Sequence, residues 1–364
     1  MVFHHPFPVA SNGTSGSRVR PYQMLHAFKA LGYEVLAVTG YARERKRQIE
    51  RLRVELHKGR RIEFVYSESH TMPTLLTEPH HIPTHPFLDF PFLRVLRERD
   101  IPIGLFYRDV NWRFDQFKTF YPAWKRYYAT FFYRYDWRQY RTLVDHLFLP
   151  SLGMCSALPT AWPPAKASAL PPGIDAGVQR RRSAREPMDR LNILYVGGVR
   201  PPLYDISPLF EFVSASHQVS LTLCCRLEEW RGVASQYRVP HNVNIVHRSG
   251  KQLNSLYEQA DAVAILWRPH SYLNFATPVK LFEALAHGLP IITSPATETA
   301  HFVAQERVGW VVESVEEFGR LVTSLLQHRG RLEEIYRTVA NAQSRHTWLA
   351  RAQQVANTLS TVQS

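Results

Sequence analysis

Leu191-Asn192-Ile193-Leu194-Tyr195-Val196-Gly197-Gly198 is a dense apolar run that stops on two glycines. A run of this length, closed by turn residues, is the pattern of a strand buried on both faces. The sequence beyond it keeps to one scheme. Ile206 to Ser214 is patterned as a helix and Val219 to Cys225 as a strand, and Val243–Val246, Ala262–Leu266 and Leu289–Thr293 are further short apolar strands. Gln252 to Ala260 and Pro278 to His287 separate them with helical spacing. Strands that alternate with helices build a parallel sheet covered on its faces.

The first forty residues repeat this order. Val2 to His4 is a short apolar start, Pro6 to Gly16 is a loop rich in Pro, Gly, Ser and Asn, and Arg18 to Leu31 has apolar residues at near-helical spacing. Gly32 stops that helix, and Tyr33 to Val38 reads as the next strand, ended by Gly40. Between the halves, Pro159 to Arg190 is rich in proline and carries an Arg/Ser run, which is linker composition. The expectation is two doubly wound domains, whose ligands bind at the carboxyl ends of the strands.

Composition agrees with two domains. At 364 residues, 45% hydrophobic and 21% charged, the chain has material for two cores, and wholesale disorder is excluded. No run approaches the ~20 apolar residues of a membrane span, and the first residues lack an export signal. Cys155 and the adjacent Cys224 and Cys225 give neither a disulfide framework nor zinc spacing, so a reducing, cytoplasmic setting is expected. A net charge of +13 points to an anionic partner: a phosphorylated small molecule, anionic lipid or nucleic acid.

Pro278-Val279-Lys280-Leu281-Phe282-Glu283-Ala284-Leu285-Ala286-His287-Gly288-Leu289-Pro290 carries the most chemistry. Glu283 follows Lys280 by three residues on a predicted helix, so both share a face near its N-terminus. Helix N-termini offer unpaired N–H groups and positive potential, which suit a phosphate. There Lys280 adds a point charge toward a diphosphate, and Glu283 an acceptor for ribose hydroxyls. The plainer alternative is a surface ion pair on an amphipathic helix. Gly197 and Gly198 let backbone approach a phosphate, although glycine after a strand is also an ordinary turn.

With its surroundings, this run resembles the nucleotide-sugar site of retaining glycosyltransferases of the GT-B fold, glycosyltransferase family 4 (group 1) in particular. Ala169-Leu170-Pro171-Pro172-Gly173-Ile174-Asp175 is similar to the segment leading into that family's second domain, and Leu194–Gly198 to its Gly-rich first strand. Tyr257 to Asp261 and Val308-Gly309-Trp310-Val311-Val312 resemble two later segments, the second a glycine turn. The Pro-x-Lys-x-x-Glu form of 278–283 is similar to a capsule- and envelope-polysaccharide branch. The resemblance implies an α/β fold of GT-B architecture, two Rossmann-like domains facing across a cleft. Residues 1–168 would take the acceptor and 169–343 the donor, with a C-terminal helix at about 344–364 crossing back to the first domain.

The resemblance also assigns roles. Glu283 binds the nucleotide ribose, Lys280 and Arg226 contact the diphosphate near Gly197, Gly198 and Arg200, and His247 and Ser249 frame the base. Family members carry a second Glu eight residues before Glu283, where this chain has Phe275. Asn274, or the backbone of Phe275, Ala276 and Thr277, is expected to stand in. His301 occupies roughly the place of another family carboxylate. The implied reaction moves a sugar from a nucleotide-diphosphate sugar to a hydroxyl of a glycan, lipid-linked or small-molecule acceptor, with retention. It requires no cofactor, and the chain has no Asp-x-Asp pair to hold a metal. Two rivals stand beside it: a nucleotide-sugar epimerase on the same fold, and a non-catalytic binding subunit suggested by Phe275.

In the first half, Asn12-Gly13-Thr14-Ser15-Gly16-Ser17-Arg18 joins strand to helix. Gly16 gives this loop freedom and Arg18 adds positive charge at the helix start, toward donor phosphates. His4 and His5 end the first strand and are expected to be packed. Leu105-Phe106-Tyr107-Arg108-Asp109 reads as a strand ending in a charged pair. Asp109 there orients or deprotonates an acceptor hydroxyl beside Arg108, or the two form a salt bridge. Residues 106–141 hold 16 aromatics, eight Lys/Arg and three Asp. That mixture suits the headgroup layer of an anionic membrane, at the inner face of the cell membrane, or the aromatic core of a helix pair. No nucleic-acid motif accompanies it, so nucleic acid is not expected as a partner. Arg43 to Arg61, with nine Lys/Arg against three Glu, adds a second basic surface.

Overall fold

The computed structural model describes residues 1–10, 16–115, 117, 121–175, 183 and 189–362. Asn12, Gly13, Thr14 and Ser15 of the expected glycine loop lie outside them. The chain divides into two units, Met1–Pro172 with Trp348–Ser364, and Gly173–Thr347.

Each unit is built on a parallel six-stranded sheet. The first contains Val2–His5 (β1), Leu36–Thr39 (β2), Val65–Glu68 (β3), Ile103–Phe106 (β4), His146–Leu149 (β5) and Ala167–Ala169 (β6), in the order β2-β1-β3-β4-β5-β6. The second contains Leu191–Val196 (β7), Val219–Cys224 (β8), Val243–Val246 (β9), Ala262–Ile265 (β10), Ile291–Thr293 (β11) and Gly309–Val311 (β12), in the order β12-β11-β10-β7-β8-β9. Strand order reverses beside β1 in one sheet and beside β7 in the other. Those reversals open the crevices that ligands of doubly wound sheets occupy.

The helices of the first unit are Gly16–Ala30 (α1), Ala42–His57 (α2), Asp89–Arg97 (α3) and Ala123–Leu143 (α4). Those of the second begin with Ser207–Ser214 (α5), Leu227–Arg231 (α6), Leu253–Gln259 (α7) and Val279–Ala286 (α8). Glu298–Glu306 (α9), Val315–Gln327 (α10) and Arg329–Gln343 (α11) complete it. The final helix, Trp348–Thr361 (α12), belongs to the first unit. Trp348, Ala352, Val355, Ala356 and Leu359 share a buried core with Phe3, Met24, Phe28, Phe64 and Tyr66. Gln354 donates to the Ala169 carbonyl (2.8 Å) and Arg351 to that of Pro172 (3.3 Å).

Three elements differ from the sequence expectation. Tyr33 precedes its strand: its amide bonds Phe28 O (3.2 Å) and its ring packs on Phe28 and Phe64, so 33–35 serve as the turn out of α1. The linker-like stretch contains β6, a three-residue edge strand that fits between Pro164 and Pro171 and holds no proline itself. Val308–Val312 is not a turn alone but holds β12, and Gly309 lies so close to the Ile291 backbone of β11 that a side chain there would collide with it.

His4 and His5 are packed, as their place in β1 suggests. His4 bridges Ser67 (2.8 Å) and Asp89 (3.0 Å), and Arg45 grips the same carboxylate through Nε (2.8 Å) and Nη2 (2.9 Å). Burial pushes the Asp89 carboxyl up, but Arg45 and His4 outweigh it and hold the group at about 2. This ion pair ties α2 and α3 to β1.

Candidate functional site

At the reversal in the second sheet, β7 runs straight into Gly197 and Gly198. Trp267, two residues beyond β10, donates its indole N–H to the Tyr195 hydroxyl (2.9 Å), which donates in turn to Gly198 O. This relay fixes the glycine turn from below. Both glycines leave room for a neighbouring side chain. A Cβ on Gly197 would collide with Lys280 Nζ, and one on Gly198 would lie 2.7 Å from the Tyr204 ring.

Lys280 rises from the first turn of α8 into this space, with Nζ 5.8 Å from the Tyr204 ring centroid and 6.0 Å from that of Tyr195. No hydrogen bond or ion pair to Lys280 forms among the described residues. Burial pushes its ammonium down to about 8, against the pull of Glu283 and Glu229, and Arg226 adds to the fall. A cation held among aromatic faces without a partner is disposed to take an anion.

Glu283, one turn along α8, accepts the Tyr257 hydroxyl at 2.9 Å instead. Tyr257 comes from α7 and stacks flat on His287, with centroids 4.3 Å apart. Arg226 caps α6 and is exposed, bonding Glu229 through Nη1 at 2.9 Å. Arg200 is exposed just past the glycine turn. His247 and Ser249 are exposed beyond β9, and the His247 Nδ1–H donates to Cys225 O at 2.9 Å.

The 274–277 segment leads into α8. Asn274 is exposed and its carbonyl accepts the Glu298 amide (2.8 Å), joining the segment to α9. Phe275, standing where a carboxylate is expected, is buried edge-on against Tyr272 (5.5 Å), so its ring is spent on packing. Ala276 and Thr277 are half-buried. His301 is exposed on α9, 3.8 Å from Glu298. Sequence spacing did not single out Tyr195, Tyr204 or Trp267. They lie 13 to 85 residues from Lys280, and only the topology brings their rings to it.

In the first unit, α1 begins at Gly16, and Arg18 is exposed in its first turn. Asp109 stands three residues past β4 rather than on it, with Oδ1 accepting the Asn111 amide (2.9 Å). Arg108 is drawn inward to Glu68 (2.9 Å) at the end of β3, where Arg20 also reaches that buried carboxylate (3.4 Å). The 106–141 stretch divides. On α4, Tyr133, Trp137 and Tyr140 are buried, whereas Trp124, Tyr127 and Phe131 are 67%, 77% and 66% exposed. The second half of α4 is core; the first is surface.

Among the described residues no group of three or more His, Cys, Asp and Glu is arranged to hold a metal, and no helix is long and apolar enough to cross a membrane.

Residues 207–357 match the family model described as Glycosyl transferase-like. No curated protein matches the chain. Among solved structures, WaaG, a glycosyltransferase involved in lipopolysaccharide biosynthesis, is similar at 14% identity and TM-score 0.58, over 98% of this chain and 99% of that one. Anabaena Alr3699/HepE in complex with UDP-glucose is similar at 11% identity and TM-score 0.59, over 99% of each chain. Sucrose-phosphate synthase from Thermosynechococcus elongatus is similar at 14% identity and TM-score 0.60, over 98% and 97%. Residues 207–357 are thus similar in sequence to glycosyl transferases, and the whole chain shares the two-sheet GT-B fold of these solved structures.

Proposed function

We propose that the second unit holds the diphosphate of a nucleotide sugar against Lys280 and the N-terminus of α8, and that the enzyme transfers the sugar with retention and without a metal. The observation that carries this reading is the unpaired Lys280 ammonium above Gly197. As the bond from the anomeric carbon to the diphosphate breaks, charge develops on the leaving oxygen. A cation and helix amides already in place stabilise that charge without reorganising. Arg226 and Arg200 add positive potential at the rim, and the amides of Gly197 and Gly198 admit the phosphates closely. Glu283 takes the ribose hydroxyls, while Asn274 and the 275–277 backbone replace the absent second carboxylate at the sugar. His247 and Ser249 frame the base.

The first unit, by this reading, presents the acceptor. Gly16 and Arg18 serve the donor phosphates, and Asp109 orients the acceptor hydroxyl, whose oxygen bonds the anomeric carbon while its proton passes to the departing diphosphate. The exposed aromatics of α4, interleaved with Lys125 and Arg134, support docking on an anionic membrane face, which suits assembly of an envelope glycan.

HepE supplies the first donors to try, because it is solved with UDP and with UDP-glucose. Thermal shift with UDP and UDP-glucose tests the site: binding raises Tm by mass action. The shift should vanish in Lys280→Ala. An undiminished shift in that variant would remove Lys280 from the site.

A further inference from the structure

Residues 72–82, which follow β3, and the first half of α4 line an open cavity of about 620 Å³, at whose mouth Ile82 and Trp124 are exposed. Met72, Pro73, Leu76, Ile82 and Ala129 give it apolar walls, and no described acidic side chain lines it. Two hydroxyls fasten its sides: Tyr133 donates to Thr71 O (2.6 Å) and Tyr128 to His81 O (3.3 Å). Tyr133 also stacks on Trp112, with centroids 5.2 Å apart and planes within 4°. Thr71 lies three residues past the end of β3 and Trp112 six past the end of β4, so the cavity adjoins the carboxyl edge of those strands.

A cavity of this size is in the range that small ligands occupy, and its walls are mainly apolar. A sugar or base stacked on the aromatic side chains would still leave Met72, Pro73, Leu76 and Ile82 unmatched. A neutral hydrocarbon would not use Lys125 and His80, which also line the cavity. Both features are met by one kind of molecule. We propose that the cavity takes the hydrocarbon chain of a phosphate-bearing amphiphile, with Lys125 meeting the phosphate. This molecule is the acceptor of the transfer, a role that rests on the function proposed above, whereas binding of the chain does not.

The test is calorimetry on the full chain with dodecyl phosphate and butyl phosphate, each below its micelle concentration, and with UDP in parallel. Dodecyl phosphate should bind at least about tenfold more tightly than butyl phosphate, since each buried methylene adds to affinity. Ala129→Trp, which fills the cavity, should abolish that difference and leave UDP binding intact. Met72→Trp, from the opposite wall, should do the same, with a cooperative melt as the check on folding. Equal affinity for the two chain lengths would overturn the proposal. So would binding to phosphatidylglycerol vesicles alone, which would assign the aromatics to a membrane surface. Chain-length dependence without UDP binding would uphold the cavity and reject the donor site.

Discussion

Lys280 and Glu283 stand one turn apart on α8 and do not pair. The carboxylate is engaged by Tyr257, and the ammonium is left in the space that Gly197 vacates. A surface ion pair would have brought the two charges together at the cost of two ordered side chains and a gain under ~1 kcal/mol. Held apart, each keeps its capacity for a ligand.

Glu283→Gln should separate architecture from binding. The amide oxygen still accepts the Tyr257 hydroxyl, so stability should hold, while UDP affinity falls about tenfold with the loss of a charged acceptor. Glu283→Ala should lose the same affinity and in addition ~1 kcal/mol of stability, because the Tyr257 hydroxyl loses its carboxylate acceptor. Calorimetry and denaturant melts of the two variants decide it.

Lys280 places a sign on pH dependence. Its folded value of about 8 lies below the ordinary lysine value, so between about pH 8 and 10.5 the unfolded chain binds more protons and stability rises with pH. Below pH 8 the full burden of the buried charge is present. Lys280→Met should therefore raise Tm at pH 7, by a few degrees, and lower turnover at least 100-fold. Donor binding by the parent enzyme should weaken as pH rises through about 8, and above that pH it should take up a proton.

Gly197→Ala adds one methyl where the ammonium lies. Turnover should drop at least about tenfold with little change in far-UV circular dichroism. The double variant Gly197→Ala/Lys280→Ala should be no worse than Lys280→Ala alone, a non-additivity expected when two residues share one space.

Asp136 makes a separate pH prediction. Its Oδ2 accepts the Thr74 amide (2.7 Å), its Oδ1 has no hydrogen-bond partner among the described residues, and burial pushes it up to about 7. For a raised acid the folded state binds more protons, so stability is lost as pH climbs from about 4 to 7. Asp136→Asn should remove that slope and stabilise the protein at pH 8 by up to about 4 kcal/mol.

The doubly wound character of both halves was legible because β7, β8 and β10 are short, mainly apolar strands separated by helix-patterned stretches. Lys280 and Glu283 were legible through their spacing on one helix. What sequence spacing did not carry is distance. Arg20, Glu68 and Arg108 form one buried cluster from three separate elements, and β3 (Val-Tyr-Ser-Glu) has no strongly apolar pattern to announce it. Nor does composition tell the two halves of α4 apart. Aromatics crowd both, and only packing against Thr71, Thr74 and Tyr107 decides which are buried.

Because α12 completes the hydrophobic interior around Phe3 and Phe64, the amino-terminal sheet has a missing wall while the polypeptide is still being made. Gly104 of β4 is shaped to it: any larger residue would strike Leu359 and Phe148. The half that emerges first from the ribosome thus matures last, after residues beyond 348 have been released. Until then its uncovered apolar face is a target for chaperones, and clipping the tail at 347 should leave the amino-terminal unit prone to aggregate while the second unit, Gly173–Thr347, stays folded.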